Sequence, residues 1–194
     1  CDVLHATGTW APVWQPVPTV VTLHDTIPWD EDDAVAGSRP TAFTREVLLP
    51  AAYRRARALV TPSQHSRHDI LRHWPELEPR LHVVPWGIDT AYHAARADGL
   101  PEALLARGIR APYLLYVGGD IPRKRLPWAI RAWAAGTAAG VQLVACGVPQ
   151  DAWPRFTALV PIDRRDEFRP QRFIDEALMP ALHAHAAATL FPTR

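Results

Sequence analysis

The stretch YLLYVGGDIPRKRLPWAI, residues 113–130, joins three patterns that together decide the fold. Residues 113–117 are an uninterrupted apolar run, as in a strand of a parallel sheet with helices on both faces. Gly118 and Gly119 end the run, and three basic residues follow. A helix is predicted over residues 126–139. Strand, glycine loop and helix form the repeating unit of an α/β fold.

The same alternation extends along the whole chain of 194 residues. A helix N-cap is predicted at Ser63 and a break in a helix at Leu49-Pro50. Strands are predicted at 2–5, 19–24, 58–61, 81–85, 113–117, 141–145 and 188–191, and helices at 42–56, 64–73, 101–107, 126–139 and 173–186. The fold class is therefore α/β with two Rossmann-type halves and parallel sheets, both halves incomplete. We expect residues 1–95 to form the end of the first half, 96–112 a linker, and 113–194 the start of the second.

Composition narrows the classes of protein. A hydrophobic content of 48% excludes intrinsic disorder, and a net charge of +1 removes the general electrostatic argument for a nucleic-acid partner. Two cysteines and the lack of any run of about 20 apolar residues favour a cytoplasmic protein that does not span a membrane. Because the chain has no initiator Met, we expect it to be part of a larger protein. Of the 21 basic residues, 20 are Arg, and Lys124 is the single Lys.

Polar and small residues gather directly after the predicted strands, where sheets of this class bind ligands. The segment 118–124 is the most informative of these. Gly118 and Gly119 allow close backbone approach, so that amides can face a phosphate. Arg123 and Lys124 add two adjacent cations, which would stabilise a departing diphosphate. The alternative is a glycine turn followed by a solvated basic helix start, although cations there oppose the helix dipole.

Five motifs stand in an order that resembles glycosyltransferase family 4: VTLHD at 21–25, VTPSQHSR at 60–67, VVPWGID at 83–89, LYVGGDIPRK at 115–124 and ATLFPT at 188–193. The resemblance covers nearly the whole chain and is closest to bacterial members similar to mannosyl- and rhamnosyltransferases. It implies the GT-B fold and a retaining enzyme that uses a nucleotide sugar. The implied acceptor is a polysaccharide, a lipid-linked molecule or a natural product.

The resemblance also implies roles for residues of the second half. Arg123 and Lys124 match the basic pair that holds the donor diphosphate. Gly118 matches the glycine of the first loop of the donor domain. Gly119 stands where other members carry Arg or Thr. No cofactor and no catalytic metal are implied, because protein cations and helix ends neutralise the diphosphate.

In the first half, His24 matches the histidine near the transferred sugar and the acceptor, with Asp25 beside it, and both are candidate catalytic residues. Ser63 and the segment from Gly87 to Asp89 match positions that line the cleft between the halves. No nucleophile is assigned, because the resemblance implies front-face attack with the donor phosphate taking the acceptor proton. The family's glycine-rich loop and paired-glutamate motif are expected outside residues 1–194, so we expect the chain alone to lack part of the donor site.

Other interpretations of the sequence stay open. The acidic run 30–33 contains an Asp-x-Asp, which binds a divalent ion in other glycosyltransferases. Ser63 with His65 could suggest a hydrolase, although no Gly-x-Ser-x-Gly elbow is present. Arg54, Arg55 and Arg57 could meet an anionic membrane, as expected of a protein peripheral to the inner face. The alternative function is a non-catalytic module that binds a nucleotide or sugar phosphate, or a scaffold.

Overall fold

The structure is a computed structural model that describes residues 1–30, 42–94 and 99–193. The chain divides into two compact units, Cys1–Gly87 and Ile88–Arg194. Each unit contains one parallel four-stranded sheet, so the prediction of an α/β fold with two parallel halves is confirmed. Within these described ranges, no helix combines the length and apolarity that a membrane crossing requires.

The sheet of the first unit has the strand order β1-β2-β3-β4. Its strands are β1 (Leu4–Ala6), β2 (Thr19–Thr22), β3 (Ala58–Thr61) and β4 (Leu81–Val83). Its helices are α1 (Ile27–Asp30), α2 (Leu49–Arg55) and α3 (Gln64–His73), with a π-helix at Thr44–Leu48 and a 3-10 helix at Pro75–Arg80. Because neighbouring strands are parallel, their carboxyl ends meet at one edge of the sheet.

Of two local predictions in the first unit, the Ser63 N-cap is confirmed, whereas the predicted kink or division of the helix is seen only as a change of helix type. The helix predicted over 42–56 changes from π to α geometry at Leu49-Pro50, because Pro50 has no N–H to donate to the preceding turn. Ser63 has extended dihedral angles, and its hydroxyl accepts a hydrogen bond from the N–H of Ser66 at 3.0 Å. This N-cap starts α3 directly after β3.

The sheet of the second unit has the order β7-β6-β5-β8 and is also parallel. Its strands are β5 (Tyr113–Val117), β6 (Gln142–Cys146), β7 (Phe168–Gln171) and β8 (Ala188–Thr189). Its α-helices are α4 (Ala91–Ala94), α5 (Glu102–Leu105), α6 (Leu126–Gly136), α7 (Trp153–Thr157) and α8 (Met179–His185). Four 3-10 helices join them, at Pro122–Lys124, Gln150–Ala152, Ile162–Glu167 and Glu176–Leu178.

Among the described strands, β7 is the one that the sequence pattern misses, and the short helices α1, α4 and α7 were not predicted either. The β7 sequence FRPQ contains a proline and two polar residues, so no apolar run marks it. It lies at the end of the strand order, where Pro170 can lack an N–H without breaking a central ladder. Phe168 anchors it in the core with 3% of its surface exposed.

Of the stretch predicted as a linker, 96–112, the described residues 99–112 pack in the second unit. Leu104 and Ile109 are fully buried and share one cluster with Tyr113 and Leu115 of β5. The hydrogen bond from the N–H of Arg110 to the Gln142 side chain ties the same stretch to β6. Buried apolar side chains therefore place this part of the chain with the second half.

Helix α6 packs on this sheet through Leu126, Ile130 and Trp133, all buried in one cluster. Its carboxyl end is closed by the buried guanidinium of Arg164, which lies 4.3 Å from the centroid of the Trp133 ring. That guanidinium donates to the carbonyl oxygens of Ala134, Thr137, Ala138 and Val141 at 3.1–3.2 Å and to the carboxylate of Glu167 at 2.7 Å. Carbonyls that a helix end leaves unpaired are thus satisfied by one side chain.

Candidate functional site

His24 lies directly after β2, at the carboxyl edge of the first sheet. Its Nε2 is 2.9 Å from the carbonyl oxygen of Thr7. Because a carbonyl only accepts, Nε2 carries the proton, and Nδ1 of the neutral ring is left as an acceptor. Nδ1 is buried and has no hydrogen-bond partner in the described part of the chain. His24 can therefore accept a hydrogen bond from a hydroxyl group of a ligand.

The ring of Trp86 stands beside His24, with the two centroids 5.2 Å apart and the planes at 67°. Trp86 follows β4 and is 66% exposed, so it presents an aromatic surface at the same edge. Trp86 is not among the site residues predicted from the sequence. Its place after a predicted strand, in the motif VVPWGID, was the signal that could have identified it. Exposed aromatic faces are suited to contact with sugar rings and bases.

Asp25 and Ser63, the other predicted residues of this edge, hold the backbone. The carboxylate of Asp25 accepts from the N–H of Ile27 at 3.2 Å and so starts α1. The hydroxyl of Ser63 is engaged by its N-cap bond and by Ser66 Oγ at 3.0 Å. His65 is 3.2 Å from the carboxylate of Asp69 and 88% exposed. These contacts provide no nucleophile–base pair for the hydrolase interpretation.

Gly87 and Asp89 belong to different units. Gly87 ends the first unit, and a Cβ added there would meet no atom within 4 Å. Asp89 lies in the second unit, where its carboxylate accepts from the N–H of Ala91 at 2.8 Å at the start of α4.

The acidic run lies partly outside the described residues, which end at Asp30 before the gap. The carboxylate of Asp30 accepts from the Thr26 hydroxyl, from Arg72 at 3.1 Å and from His73 at 2.8 Å. Burial alone would raise the pKa of Asp30, but these three partners lower it below its ordinary value. The carboxylate of Asp30 is thus engaged by hydrogen bonds and ion pairs within the first unit. Over the described ranges, no group of three or more His, Cys, Asp and Glu side chains could hold a metal ion.

In the second unit, the loop after β5 packs against the loop after β6. Gly119 has a φ of +63°, and a Cβ there would lie 2.8 Å from the carbonyl oxygen of Gly147. Its N–H donates to the carbonyl of Cys146 at 3.1 Å, and the N–H of Gly118 is directed to the same oxygen at 3.5 Å. The expectation that these amides face a phosphate is therefore wrong for Gly119. The loop needs this glycine for its fold.

Gly118 is required by a contact with Tyr116. A Cβ at Gly118 would lie 2.7 Å from the hydroxyl of Tyr116, which donates to the carbonyl of Gly119 at 3.0 Å. Burial raises the pKa of Tyr116 to about 12, so this donor keeps its proton at neutral pH. Tyr116 therefore fixes the loop that carries Arg123 and Lys124.

Arg123 and Lys124 lie in the 3-10 helix Pro122–Lys124 and are both partly exposed. In the described part of the second unit, no carboxylate lies within ion-pair distance of either cation, because Asp120 pairs with Arg155. Partial burial, with a smaller effect from Arg123, lowers the pKa of Lys124 below its ordinary value. A pair of unpaired cations can bind a ligand anion without first breaking an ion pair.

The Lys124 ammonium also lies at the switch point of the second sheet, the place next to β5 where the strand order reverses. Its Nζ lies 4.1 Å from the centroid of the Phe191 ring, and Phe191 follows β8. The chain runs from β5 outward through β6 and β7, then returns to place β8 on the other side of β5. Doubly wound sheets bind ligands at such a reversal, beyond the carboxyl ends of the strands.

Comparison with known proteins adds three findings. The model of Glycosyltransferase Family 4 matches residues 1–92. Alpha-maltose-1-phosphate synthase of Mycolicibacterium smegmatis is 32% identical over 141 residues, which is 69% of this chain and 35% of that enzyme. The enzyme of the same name from Mycobacterium tuberculosis is 28% identical over 151 residues, 74% of this chain and 38% of its own. The chain thus spans little more than a third of these relatives.

Solved structures share the fold at low identity. The catalytic domain of starch synthase IV from Arabidopsis thaliana, bound to ADP and acarbose, superposes with a TM-score of 0.64 and 14% identity over 99% of this chain and 52% of its own. HepE from Anabaena, in complex with UDP and glucose, gives a TM-score of 0.65 and 17% identity over 90% of this chain and 46% of its own. Both are glycosyltransferases of the GT-B fold.

Proposed function

The chain belongs to glycosyltransferase family 4, and from that premise we propose that the protein transfers a sugar from a nucleoside-diphosphate sugar to a hydroxyl group of an acceptor, with retention of configuration. The acceptor classes are a polysaccharide, a lipid-linked glycan or a natural product. The observation that carries the proposal is the unpaired pair Arg123 and Lys124 at the switch point of the second sheet.

The charge of the leaving group explains why these two cations matter. When the bond between the sugar and the diphosphate breaks, negative charge builds on the departing phosphate oxygens. Cations that are already in place stabilise that charge at no cost of reorganisation. Two neighbouring structures contain ADP or UDP, and a further one contains UDP-glucose, which supports a nucleoside-diphosphate sugar as donor here. Because protein cations neutralise the diphosphate, we propose that transfer needs neither a metal ion nor a cofactor.

His24 is proposed to act on the sugar side of the reaction. With Nε2 bonded to the Thr7 carbonyl, its free Nδ1 accepts a hydrogen bond from a hydroxyl of the transferred sugar or of the acceptor. Asp25 supports this role by fixing the turn after His24. In front-face attack the acceptor oxygen bonds to the anomeric carbon while the phosphate leaves and takes the acceptor proton, so the protein supplies no nucleophile.

Ser63, Gly87 and Asp89 are proposed as ligand-facing positions of the whole protein, and Gly118 and Gly119 to shape the loop that presents the donor cations. The domain boundaries at 1–95, 96–112 and 113–194 are kept as a proposal for the whole protein. We propose a cytoplasmic location with peripheral contact at the inner membrane face. Nucleic acid is not proposed as a partner.

The test uses the full-length protein and a panel of UDP-, ADP- and GDP-sugars, with release of the nucleoside diphosphate measured for each donor. A productive donor should show release that depends on an acceptor, and proton NMR of the product should show the anomeric configuration of the donor. Chelation of divalent ions should leave the rate unchanged. The matched variants are Lys124→Met and Arg131→Met, since Arg131 is an exposed cation of α6 in the same unit.

Each result bears on a different part of the proposal. Binding of donors without any turnover would replace the enzyme with the non-catalytic module. An inverted product would overturn retention alone. Equal loss of donor binding in the Lys124 and Arg131 variants would remove the specific role of Lys124. Failure of every donor to bind would overturn the proposed function as a whole.

A further inference from the structure

A second pocket in the first unit lies at the edge opposite His24. It has a volume of about 480 Å³, within the range of small-molecule sites. Its lining comes from the segments that lead into β2, β3 and β4, and so it lies at the amino ends of the strands. Strand β2 separates this edge from His24 by about 13 Å. The pocket is therefore distinct from the candidate site.

The charge of this pocket has one sign. Arg55, Arg57 and Arg80 line it, and none of its described lining residues is acidic. The nearby carboxylate of Glu76 lies outside the lining; it pairs with Arg54 at 2.7 Å and also interacts electrostatically with Arg80. Three arginines in the lining of one pocket favour an anion that can accept charge-assisted hydrogen bonds, as a phosphate does.

Arg80 is held in place before any ligand arrives. One terminal nitrogen of its guanidinium, Nη1, donates to the carbonyl of Arg54 at 2.9 Å and to the carbonyl of Ala56 at 2.5 Å. Nε and Nη2 remain as further donors. Because a fixed guanidinium loses little freedom on binding, this arrangement favours recognition over simple surface charge.

Gln15 also belongs to the lining of this pocket. Its Nε2 donates to the carbonyls of Pro12 and Ala52, both at 2.9 Å, which settles the orientation of the amide. Its Oε1 is buried and has no partner in the described ranges. A buried acceptor without a partner costs free energy, so a ligand that carries a hydroxyl donor would be favoured there.

From these three observations we propose that the pocket binds a phosphorylated sugar, with the phosphate on Arg55, Arg57 and Arg80 and a hydroxyl on Gln15 Oε1. Phosphate supplies the anion, and the sugar supplies the donor. The same chemistry could come from a soluble sugar phosphate or from an inositol phosphate headgroup in a membrane. We propose the soluble ligand, because part of the pocket wall is formed by Pro16, Val17 and Pro18.

The probe is glucose 6-phosphate, and binding is measured by calorimetry on the chain of residues 1–194 at about 150 mM salt, which screens non-specific surface attraction. We expect Arg57→Gln to weaken binding about tenfold or more, since a hydrogen bond to a charged group is lost. Arg131→Gln removes an exposed arginine outside the pocket and should change binding by less than about twofold. Lys124→Met should also preserve binding, which excludes the donor cations as the site.

Gln15→Met tests the hydroxyl contact separately from the charge. The affinity ratio of glucose 6-phosphate to inorganic phosphate is measured within each protein, so a general loss of stability does not imitate the result. We expect this ratio to fall about fivefold or more in Gln15→Met and to stay constant in Arg57→Gln.

Three outcomes overturn the proposal. Glucose 6-phosphate that binds equally well to Arg57→Gln is not held in this pocket. Inorganic phosphate that binds as tightly as glucose 6-phosphate indicates a plain anion site. Binding only to vesicles of phosphatidylcholine and phosphatidylinositol 4-phosphate assigns the pocket to a membrane. None of these results alters the assignment of Lys124, because the two sites lie in different units.

Discussion

The two ends of helix α6 each carry arginine or lysine, yet the cations serve opposite purposes. At the carboxyl end, Arg164 is buried, and its guanidinium is satisfied by four carbonyls and by Glu167. At the amino end, Arg123 and Lys124 lack a carboxylate in the described part of the second unit. A cation at a carboxyl end complements the helix dipole, whereas a cation at an amino end opposes it. One end stabilises the fold, and the other keeps its charge available for a ligand.

The largest effect is expected at the satisfied end. Arg164→Ala removes a buried cation, leaves the Glu167 carboxylate with the Gly140 N–H but without its cation, and leaves the carbonyls at the end of α6 unpaired. We expect the free energy of unfolding of the second unit to fall by about 3–5 kcal/mol. The measurement is urea unfolding followed by circular dichroism. Arg165→Ala, an exposed neighbour, should cost no more than about 0.5 kcal/mol. A similar cost in both variants would remove the contrast between the two ends.

One glycine lies near each end of α6. Substitution of the two by alanine distinguishes the cost of a positive φ from the cost of a steric clash. Gly119 and Gly140 both have positive φ, +63° and +91°, which costs a side chain about 1–2 kcal/mol. A Cβ at Gly140 meets nothing within 4 Å, while one at Gly119 would lie 2.8 Å from the Gly147 carbonyl. Gly119→Ala should therefore destabilise by about 2 kcal/mol or more, and by more than Gly140→Ala. Thermal unfolding of both variants tests this, and equal losses would mean that the two loops are not closely packed.

At the unpaired end, the expected effect is on activity rather than on stability. Lys124→Arg replaces a compact ammonium with a broad planar group in a partly buried position above Phe191. We expect the KM for the donor to rise, or kcat to fall, by about tenfold in the full-length protein, as for one charge-assisted hydrogen bond. Unfolding should shift by less than about 0.5 kcal/mol. Arg125→Lys, the matched exchange one residue later, should leave both constants nearly unchanged. If both exchanges left the kinetic constants unchanged, the single Lys at 124 would have no specific role in donor binding.

Many of the structural features at the amino end of α6 could be predicted from the sequence, because they depend on local patterns. The apolar run of β5 and the start of α6 at Leu126 follow from consecutive residues, and so does the Ser63 cap. The candidate cations were identified in the same way, by their place after a strand. Local sequence is sufficient where one segment determines its own conformation.

The remainder depends on distant partners. Arg164 is separated from its carbonyl partners by more than 20 residues, and no local motif indicates that a surface-type residue will be buried. The Gly119 amide is occupied by Cys146 from the next strand, so a glycine pattern could not reveal whether it was free. Trp86 reaches His24 only because β4 and β2 end at the same edge. In each case the sheet brings the partners together.

The smallest expected effect is at Arg125, the residue between Lys124 and the first residue of α6. Arg125 has φ +53° and ψ +46°, the left-handed region that a non-glycine residue rarely adopts. Arg125→Gly relieves that strain but adds freedom to the unfolded chain, so the net stabilisation should be about 0.5–1 kcal/mol. Arg125→Ala removes the same charge and keeps the strain. Stabilisation by glycine but not by alanine in urea unfolding would identify the backbone as the cause, whereas equal stabilisation by both would identify the repulsion of the cation by the helix dipole.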